Sequence, residues 1–299
     1  MPRPSLPPEI PVGQGRVAAE VAAPAGARLL AHPPASHRVV TRVLPRATCG
    51  ESLPGGPAYR LFLAVPHRAP PPAGAPILYM LDGNAAFAAL TPALLTSVPG
   101  LVVAGIGYDT KAAFARGPRN LDYTPAAPGV PPFPDPVQPA HLAGGAGVFL
   151  DRLCGPIRAE AEAGLRIDPA RRMLWGHSFG GLCTLTALLT RPEEFACYGI
   201  ISPSVWWDQA CVAAQEAAAR FDPAAPKRVY LAVGECEKHR GSPAPAAEAP
   251  GGPPPLTLAL AERLATRPGL ALTCEVLAGA VHIDSLARSL PGSLALAAG

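Results

Sequence analysis

Residues 176–180 read Gly-His-Ser-Phe-Gly, a stretch whose residue types and spacing predict covalent chemistry. A serine hydroxyl is a weak nucleophile until a neighbouring base removes its proton. In a G-x-S-x-G motif the serine occupies a strained turn between a strand and a helix, and the small glycines let that turn close. Residues 173–175 before it are apolar, and residues 179–191 after it have a helical pattern. We therefore predict that Ser178 is a nucleophile for acyl transfer.

The base for such a serine is expected to be a histidine further along the chain, because this motif is followed by an acid and then a histidine. His282 lies in the sequence GAVHID, in a predicted loop after a strand at residues 272–276. His239 is the other downstream histidine, but it stands between Lys238 and Arg240 in a charged run. We predict that His282 is the base.

The acid that orients the histidine should follow a strand predicted at residues 229–233, where Glu235 and Glu237 compete. Spacing does not separate the two, because alternation places both on the same side of an extended strand end. We favour Glu237. The alternatives left open are a Ser–His dyad without an acid and two other carboxylates, Asp208 and Asp284.

The tetrahedral intermediate of acyl transfer needs two hydrogen-bond donors for its negative oxygen. The backbone N–H of Phe179, which follows the nucleophile, is the first predicted donor. The second should come from the turn after an earlier strand, and residues 82–84 follow a buried run at 77–81. We predict that Gly83 or Asp82 supplies this second N–H.

The elements that must hold these residues alternate along the chain. Short apolar runs are typical of strands buried on both faces, and they alternate here with helical patterns. The predicted strands are 38–44, 59–65, 77–81, 101–106, 173–175, 198–201, 229–233 and 272–276, and the predicted helices are 85–95, 179–191 and 256–266. The first two strands form an antiparallel entry. This pattern predicts the α/β class and an α/β-hydrolase fold, with a mostly parallel central sheet and helices on both faces.

We expect a single catalytic domain at residues 37–299, preceded by a flexible Pro- and Ala-rich arm at 1–36. Two long irregular segments interrupt the domain. Loops of this length are often functional, so residues 108–144, which follow a strand end, are predicted to be a substrate loop. The Pro-rich residues 241–255 are predicted to be a surface insertion.

Composition excludes several other classes of protein. The formal net charge is only +3 and no basic cluster stands out, so we expect no nucleic-acid partner. No run of about 20 apolar residues could span a membrane. The seven Cys show no paired spacing, which predicts free thiols, no zinc site and no metal. No secretion signal is recognisable, so we expect a cytoplasmic protein, or a periplasmic one if a leader is missing. We expect no cofactor.

Four motifs together resemble a known group of proteins. They are YMLDGN at residues 79–84, R-x-x-DYTP at 119–125, LWGHSFGG at 174–181 and ISPSVWWD at 201–208. They are similar to the putative-esterase superfamily, and within it to the trilactone siderophore esterases of the enterobactin and salmochelin type. The resemblance covers roughly residues 37 to 290.

The resemblance implies a serine esterase that hydrolyses the ester bonds of a catecholate siderophore trilactone and releases iron. Its substrate would be a small ester, such as a ferric catecholate siderophore. The substrate-facing arginine of that group corresponds to Arg119, for which a loop-pinning ion pair with Asp122 is the alternative. The same motifs supply four further candidate substrate contacts, Asn84, Tyr123, His177 and Trp206. The competing hypotheses are a general carboxylesterase for small acyl esters and a non-catalytic binding protein on a hydrolase scaffold.

Overall fold

The structure, a computed structural model, describes residues 27–238 and 252–299. Residues 1–26 and 239–251 lie outside the described residues. Most of the predicted N-terminal arm, most of the 241–255 insertion and the alternative base His239 therefore lie outside them as well.

Eight of the strands in the described residues form one sheet. The strands are β1 (His37–Val43), β2 (Tyr59–Pro66), β3 (Ala75–Met80), β4 (Val102–Tyr108), β5 (Phe133–Pro134), β6 (Leu142–Ala143), β7 (Ile167–His177), β8 (Cys197–Ile201), β9 (Lys227–Gly234) and β10 (Leu270–Leu277). The sheet order is β1-β2-β4-β3-β7-β8-β9-β10, and β5 and β6 form a separate small ribbon. Strand β2 pairs antiparallel with β1 and β4, and every pair from β4 to β10 is parallel. The predicted α/β-hydrolase fold is confirmed.

Helices connect the strands of the sheet. They are α1 (Ala27–Ala31), α2 (Arg46–Cys49), α3 (Gly83–Ala89), α4 (Pro92–Thr96), α5 (Arg116–Tyr123), α6 (Ala146–Arg152), α7 (Arg158–Glu162), α8 (Phe179–Thr190), α9 (Gln209–Ala218), α10 (Pro255–Ala265), α11 (His282–Arg288) and α12 (Leu290–Ala298). A π-helical turn at Leu153–Ile157 joins α6 to α7, and a 3₁₀ turn at Pro192–Glu194 follows α8.

The core lies on both faces of the sheet, as alternation along buried strands requires. In β3, Ile77 and Tyr79 join one apolar cluster, while Leu78 and Met80 join the other. All four side chains are at most 1% exposed. Helices therefore cover both faces, and the sheet can present its strand ends at a fixed edge.

Four predictions about local structure differ from what the structure shows. The single helix predicted at 85–95 is two helices, because Thr91 caps α4 through its side chain and Pro92 cannot continue α3. Residues 108–144 are not wholly irregular, since they contain α5 and the β5–β6 ribbon. Within the predicted flexible arm, α1 buries Leu29, which is 1% exposed. His282 begins α11 instead of lying in a loop.

The helices of residues 27–238 and 252–299 are all too short or too polar to cross a membrane. The longest, α8, has 12 residues, whereas a span needs about 20.

Candidate active site

The candidate site lies at the carboxyl ends of five neighbouring strands. Asp82, Ser178, Ser202, Glu237 and His282 follow β3, β7, β8, β9 and β10, respectively. These strands are adjacent in the sheet. Within the described residues, the non-glycine residues with positive φ are three of these five, namely Asp82, Ser178 and Ser202. Such strain concentrates at functional sites.

Ser178 occupies the predicted sharp turn between β7 and α8. Its backbone has φ 62° and ψ −119°. The turn closes only because two neighbours lack side chains. A Cβ on Gly176 would lie 2.2 Å from the carbonyl oxygen of Gly180, and one on Gly181 would lie 2.6 Å from that of Ile201. The first glycine of the motif is therefore sterically required, and Gly181, outside the five-residue motif, is required as well.

His282 and Glu237 are directly paired. The Nδ1 atom of His282 lies 2.7 Å from Oε2 of Glu237. Since a carboxylate accepts hydrogen bonds, Nδ1 carries the proton and Nε2 is left as the basic nitrogen. The Glu237 side chain is buried, whereas that of His282 is 40% exposed. This is the arrangement of a base held by a buried acid.

Glu237 stays ionised despite its burial. Burial opposes ionisation, but hydrogen bonds from His282 and Ser202 outweigh it and hold the pKa of Glu237 below its ordinary value. Its Oε1 atom accepts from Ser202 Oγ at 2.5 Å and from the N–H of Gly234 at 2.7 Å. The negative charge can therefore stabilise a protonated His282.

The alternative acids lie elsewhere. Glu235 is exposed, and its Oε2 accepts from the N–H of Gly279. Asp208 caps α9 by accepting from the N–H of Cys211. Asp284 accepts from the N–H of Val281 at the start of α11. Of the four carboxylates considered from the sequence, the structure brings Glu237 alone to His282.

Ser178 and His282 line a common cavity of about 560 Å³, together with Arg119, Phe179 and Trp206. Within the described chain, the hydrogen-bond partner of Ser178 Oγ is Ser204 Oγ at 3.4 Å. Proton transfer to His282 thus requires the Ser178 hydroxyl and the imidazole to form a hydrogen bond that the described residues do not show. Catalytic hydrogen bonds commonly tighten only when substrate is bound.

Arg119 is held at the wall of the cavity by Asp82. Its Nε and Nη2 atoms each donate to the Asp82 carboxylate at 2.8 Å. The guanidinium lies 5.3–5.6 Å from the ring centres of Phe114, Tyr123 and Phe179. The alternative that Arg119 pairs with Asp122 is wrong.

Two predicted substrate contacts do not reach the cavity. Asn84 is 2% exposed, and its amide bonds the backbone of Tyr108 and Thr110, which ties α3 to β4. Tyr123 is fully buried, and its hydroxyl accepts from the N–H of Asp82. Their polar groups serve the scaffold, because a buried polar group must find a partner inside the protein.

His177 lies beneath His282. The two ring centres are 4.7 Å apart, and Nε2 of His177 donates to the main-chain carbonyl of His282 at 2.8 Å. Burial, with the neighbouring His282, lowers the pKa of His177 to about 3, so the ring is neutral. Its contact with substrate stays a prediction, as does that of Trp206, whose ring centre lies 6.3 Å from that of Phe179.

The predicted oxyanion donors occupy the starts of two helices. Phe179 and Gly83 begin α8 and α3, where backbone N–H groups lack intrahelical acceptors. The N–H of Asp82, by contrast, is already bonded to Tyr123. Phe179 and Gly83 are therefore the better pair, and their role stays a prediction.

Sequence reasoning left the serines around the site unassigned. Ser202 and Ser285 connect Glu237 to the main chain of His282, and Ser204 contacts the nucleophile. The signal was available for two of them, because the sequence ISPSVWWD follows a predicted strand end. Nothing in its composition distinguished a hydroxyl that bonds a catalytic group from one that caps a turn.

The described part of the chain contains no cluster of three His, Cys, Asp or Glu side chains suited to a metal ion. All seven cysteines are free thiols. Cys236 is exposed and lines the 560 Å³ cavity beside Glu237.

Comparisons with known proteins find similarity to esterases. A family model described as "Putative esterase" matches residues 158–257. The ferri-bacillibactin esterase BesA of Bacillus subtilis is 35% identical over 198 residues, which is 62% of this chain and 68% of that protein. The apo-salmochelin esterase of Escherichia coli O6:H1 is 40% identical over 163 residues, 53% of this chain and about half, 51%, of that protein. The crystallised enterobactin hydrolase IroE in complex with DFP superposes with a TM-score of 0.69 at 27% identity, covering 91% of this chain and 99% of that one.

Proposed function

The chain belongs to the putative-esterase family of serine hydrolases, and on that premise we propose that it cleaves carboxylic ester bonds through an acyl-enzyme on Ser178. The observation that carries the proposal is the 2.7 Å contact between His282 and the buried Glu237, beside a serine held in a strained turn. These three residues are the proposed catalytic triad.

In the first half of the reaction, Nε2 of His282 takes the proton of the Ser178 hydroxyl as its oxygen attacks the ester carbonyl. The tetrahedral oxyanion accepts hydrogen bonds from the N–H groups of Phe179 and Gly83. The protonated His282, stabilised by Glu237, gives its proton to the leaving alcohol, and the ester bond breaks. His282 then takes a proton from water as the water attacks the acyl-enzyme, and it returns this proton to Ser178. The carboxylic acid product is released and Ser178 is restored.

The proposed substrate is the trilactone of a catecholate siderophore. Two relatives support this proposal, because one is named as an esterase of ferri-bacillibactin and the other as an esterase of apo-salmochelin. The cavity fits an anionic aromatic acyl group, because it is lined by the aromatic rings of Phe179 and Trp206 and by the cations Arg119 and Lys238. The two hydrogen bonds from Arg119 to Asp82 use Nε and Nη2, so Nη1 can donate to a ligand. A guanidinium can bind catecholate oxygens and stack on rings.

The test is hydrolysis of enterobactin, both ferric and iron-free, alongside p-nitrophenyl acetate. Wild-type protein is expected to linearise the trilactone, and Ser178→Ala to lower turnover on the order of 10⁶-fold, to the level of the blank. Chromatography of the products measures trilactone cleavage, and absorbance measures p-nitrophenol.

Ser204→Ala is the matched control, since it removes the neighbouring hydroxyl of the same cavity without removing the nucleophile. It should retain measurable turnover. If Ser178→Ala hydrolysed esters as fast as Ser204→Ala, the proposed nucleophile would be wrong. Turnover of p-nitrophenyl acetate without trilactone cleavage would favour a general carboxylesterase, and no turnover of either ester would favour a binding protein.

The cytoplasmic location stays a prediction. Seven free thiols fit a reducing compartment, because disulfides form mainly in oxidising ones.

A further inference from the structure

We propose that Ser202 is a positioning residue for the catalytic acid: its hydroxyl fixes one carboxylate oxygen of Glu237 so that the other stays on His282. The inference rests on the proposed triad and adds a residue to it. It concerns how the acid is held, and it is independent of which ester the enzyme cleaves.

The contacts form a closed ring of polar groups. Ser202 Oγ donates to Glu237 Oε1 at 2.5 Å, and Glu237 Oε2 accepts from His282 Nδ1 at 2.7 Å. Ser285 Oγ lies 2.6 Å from Ser202 Oγ and 2.7 Å from the main-chain carbonyl of His282. The ring thus joins the side chain of His282, through the acid and two serines, to its own main chain. A carboxylate held at both oxygens cannot rotate away from the imidazole.

The protein holds Ser202 in this place at a cost. Its φ is 41°, a left-handed conformation that is unfavourable for serine and easy for glycine. Its N–H donates to the carbonyl of Ala232 on β9 at 2.7 Å, which locks the end of β8 against the strand that leads to Glu237. The side chain is 2% exposed. Strain of this kind persists where surrounding contacts enforce it.

The number of hydroxyl protons in the ring indicates which of the two serines contributes more to holding Glu237. With Glu237 ionised, the three oxygen–oxygen contacts of the ring share only two hydroxyl protons. Charge-assisted hydrogen bonds are the stronger ones, so the Ser202 hydroxyl donates its proton in a hydrogen bond to the Glu237 carboxylate and not to Ser285. Ser285 then has one proton for two acceptors, Ser202 and the carbonyl of His282, and one of these contacts lacks a proton at any time. Ser202 should therefore matter more than Ser285.

The experiment is a double-mutant cycle between Ser202 and Glu237, with p-nitrophenyl acetate as substrate. Ser202→Ala is expected to lower kcat by roughly 10-fold with little change in KM, because a hydrogen-bonding residue that acts on the transition state affects kcat. In the Glu237→Gln background the same change should cost less than about 2-fold, because residues that act as a unit are non-additive. The acid limb of the kcat/KM profile should move in the same direction for Ser202→Ala as for Glu237→Gln.

Three further variants keep the proposal falsifiable. Ser202→Gly removes the hydroxyl and relieves the backbone, so it should fold as well as wild type and lose activity as Ser202→Ala does. Ser285→Ala should lose less than either. Ser293→Ala should keep wild-type kcat, because Ser293 is fully buried and its hydroxyl bonds the carbonyl of Ser289, which caps its own helix α12. The proposal is overturned by additive losses in the cycle, by wild-type kcat in Ser202→Gly, or by a larger loss in Ser285→Ala than in Ser202→Ala.

A second measurement separates this inference from the proposed function. The titration of His282 followed by NMR needs no substrate, so it reports on the ring even if no ester is cleaved. Ser202→Gly should shift this titration in the same direction as Glu237→Gln, and an unchanged titration would overturn the positioning role. If only the trilactone assay fails, the NMR titration and the double-mutant cycle with p-nitrophenyl acetate still test the positioning role of Ser202.

Discussion

Two carboxylates that are both hidden from solvent behave in opposite ways in this protein. Asp122, on α5, is 2% exposed and Glu237, after β9, is 3% exposed. Burial raises the pKa of Asp122 to about 6, although the hydroxyls of Tyr59 and Tyr108 donate to it. The pKa of Glu237 is instead held below its ordinary value.

The two carboxylates differ in how deeply they lie below the surface, Asp122 being the deeper, and in the partners of each carboxylate. Glu237 accepts from a histidine that can carry a positive charge, from a hydroxyl and from a backbone N–H. The donors on Asp122 Oδ2 are neutral tyrosine hydroxyls, which offset only part of the cost of desolvation. Burial alone therefore does not mark a catalytic acid. Asp122 belongs to the scaffold that holds the DYTP segment at residues 122–125.

The largest expected effect comes from Glu237→Gln. Glutamine has nearly the same shape but no charge, so the imidazolium formed during the reaction loses its stabilisation. We expect kcat to fall by roughly 10²–10⁴-fold, as for loss of the acid in other serine triads. Initial rates with p-nitrophenyl acetate measure the loss.

Glu235→Gln is the matched control, because Glu235 is exposed and bonds Gly279 instead of the histidine. It should change kcat by less than about 3-fold, because its exposed contact does not involve the base. Near-normal turnover in Glu237→Gln would indicate a Ser–His dyad, the alternative left open by the sequence.

The sequence predicted the elements of this site well because each has a strong local signal. Ser178 stands in a motif with glycines on a strand–turn–helix, and every buried strand was visible as an apolar run. Glu237 was favoured over Glu235 without a physical reason, since both follow β9 in the same register. Only the turn after β9, which folds Glu237 inward, separates them.

What the sequence did not predict depends on contacts between distant segments. An ion pair of Arg119 with Asp122, three residues away, was one expectation, but the guanidinium pairs with Asp82 after another strand while it lines the cavity. Asn84 and Tyr123 stand in motifs typical of the family, yet their amide and hydroxyl are used inside the scaffold. A motif shows that a residue is constrained, and it does not show whether a ligand or a neighbouring strand imposes the constraint.

Asp122 should make the stability of the protein depend on pH. A carboxyl whose pKa rises on folding, from 3.8 to about 6 for Asp122, contributes stability that is present below pH 3.8 and is lost as the pH rises to about 6. A shift of about two units corresponds to about 3 kcal/mol. Relative to wild type, Asp122→Asn should therefore gain about 3 kcal/mol in free energy of unfolding between pH 4 and 7. Urea unfolding at several pH values measures it.

Glu237→Gln should show the opposite sign in the same series. A lowered pKa contributes stability that is present above the ordinary value of 4.5 and is lost as the pH falls through the folded value. The variant should thus lose stability relative to wild type as the pH rises from acid to neutral. Parallel curves for the two variants would show that burial, and not the partners, sets both ionisations.

The smallest effect is expected from Tyr108→Phe, which removes one of the two tyrosine hydroxyls from Asp122 and leaves the ring in place. Hydrogen bonds to charged groups contribute about 1.5–3 kcal/mol, and Tyr59 still donates, so we expect a loss of about 1–2 kcal/mol near pH 7. The loss should shrink below pH 6, where Asp122 is protonated and needs its donors less. Tyr79→Phe is the matched control. The partner of Tyr79 is Glu162, which also binds Arg172 and whose pKa is lowered, so the stability lost in Tyr79→Phe should not shrink over the same pH range. If the cost of Tyr108→Phe were constant from pH 4 to 7, Asp122 would not titrate in this window, and the contrast between the two buried carboxylates would lose its basis.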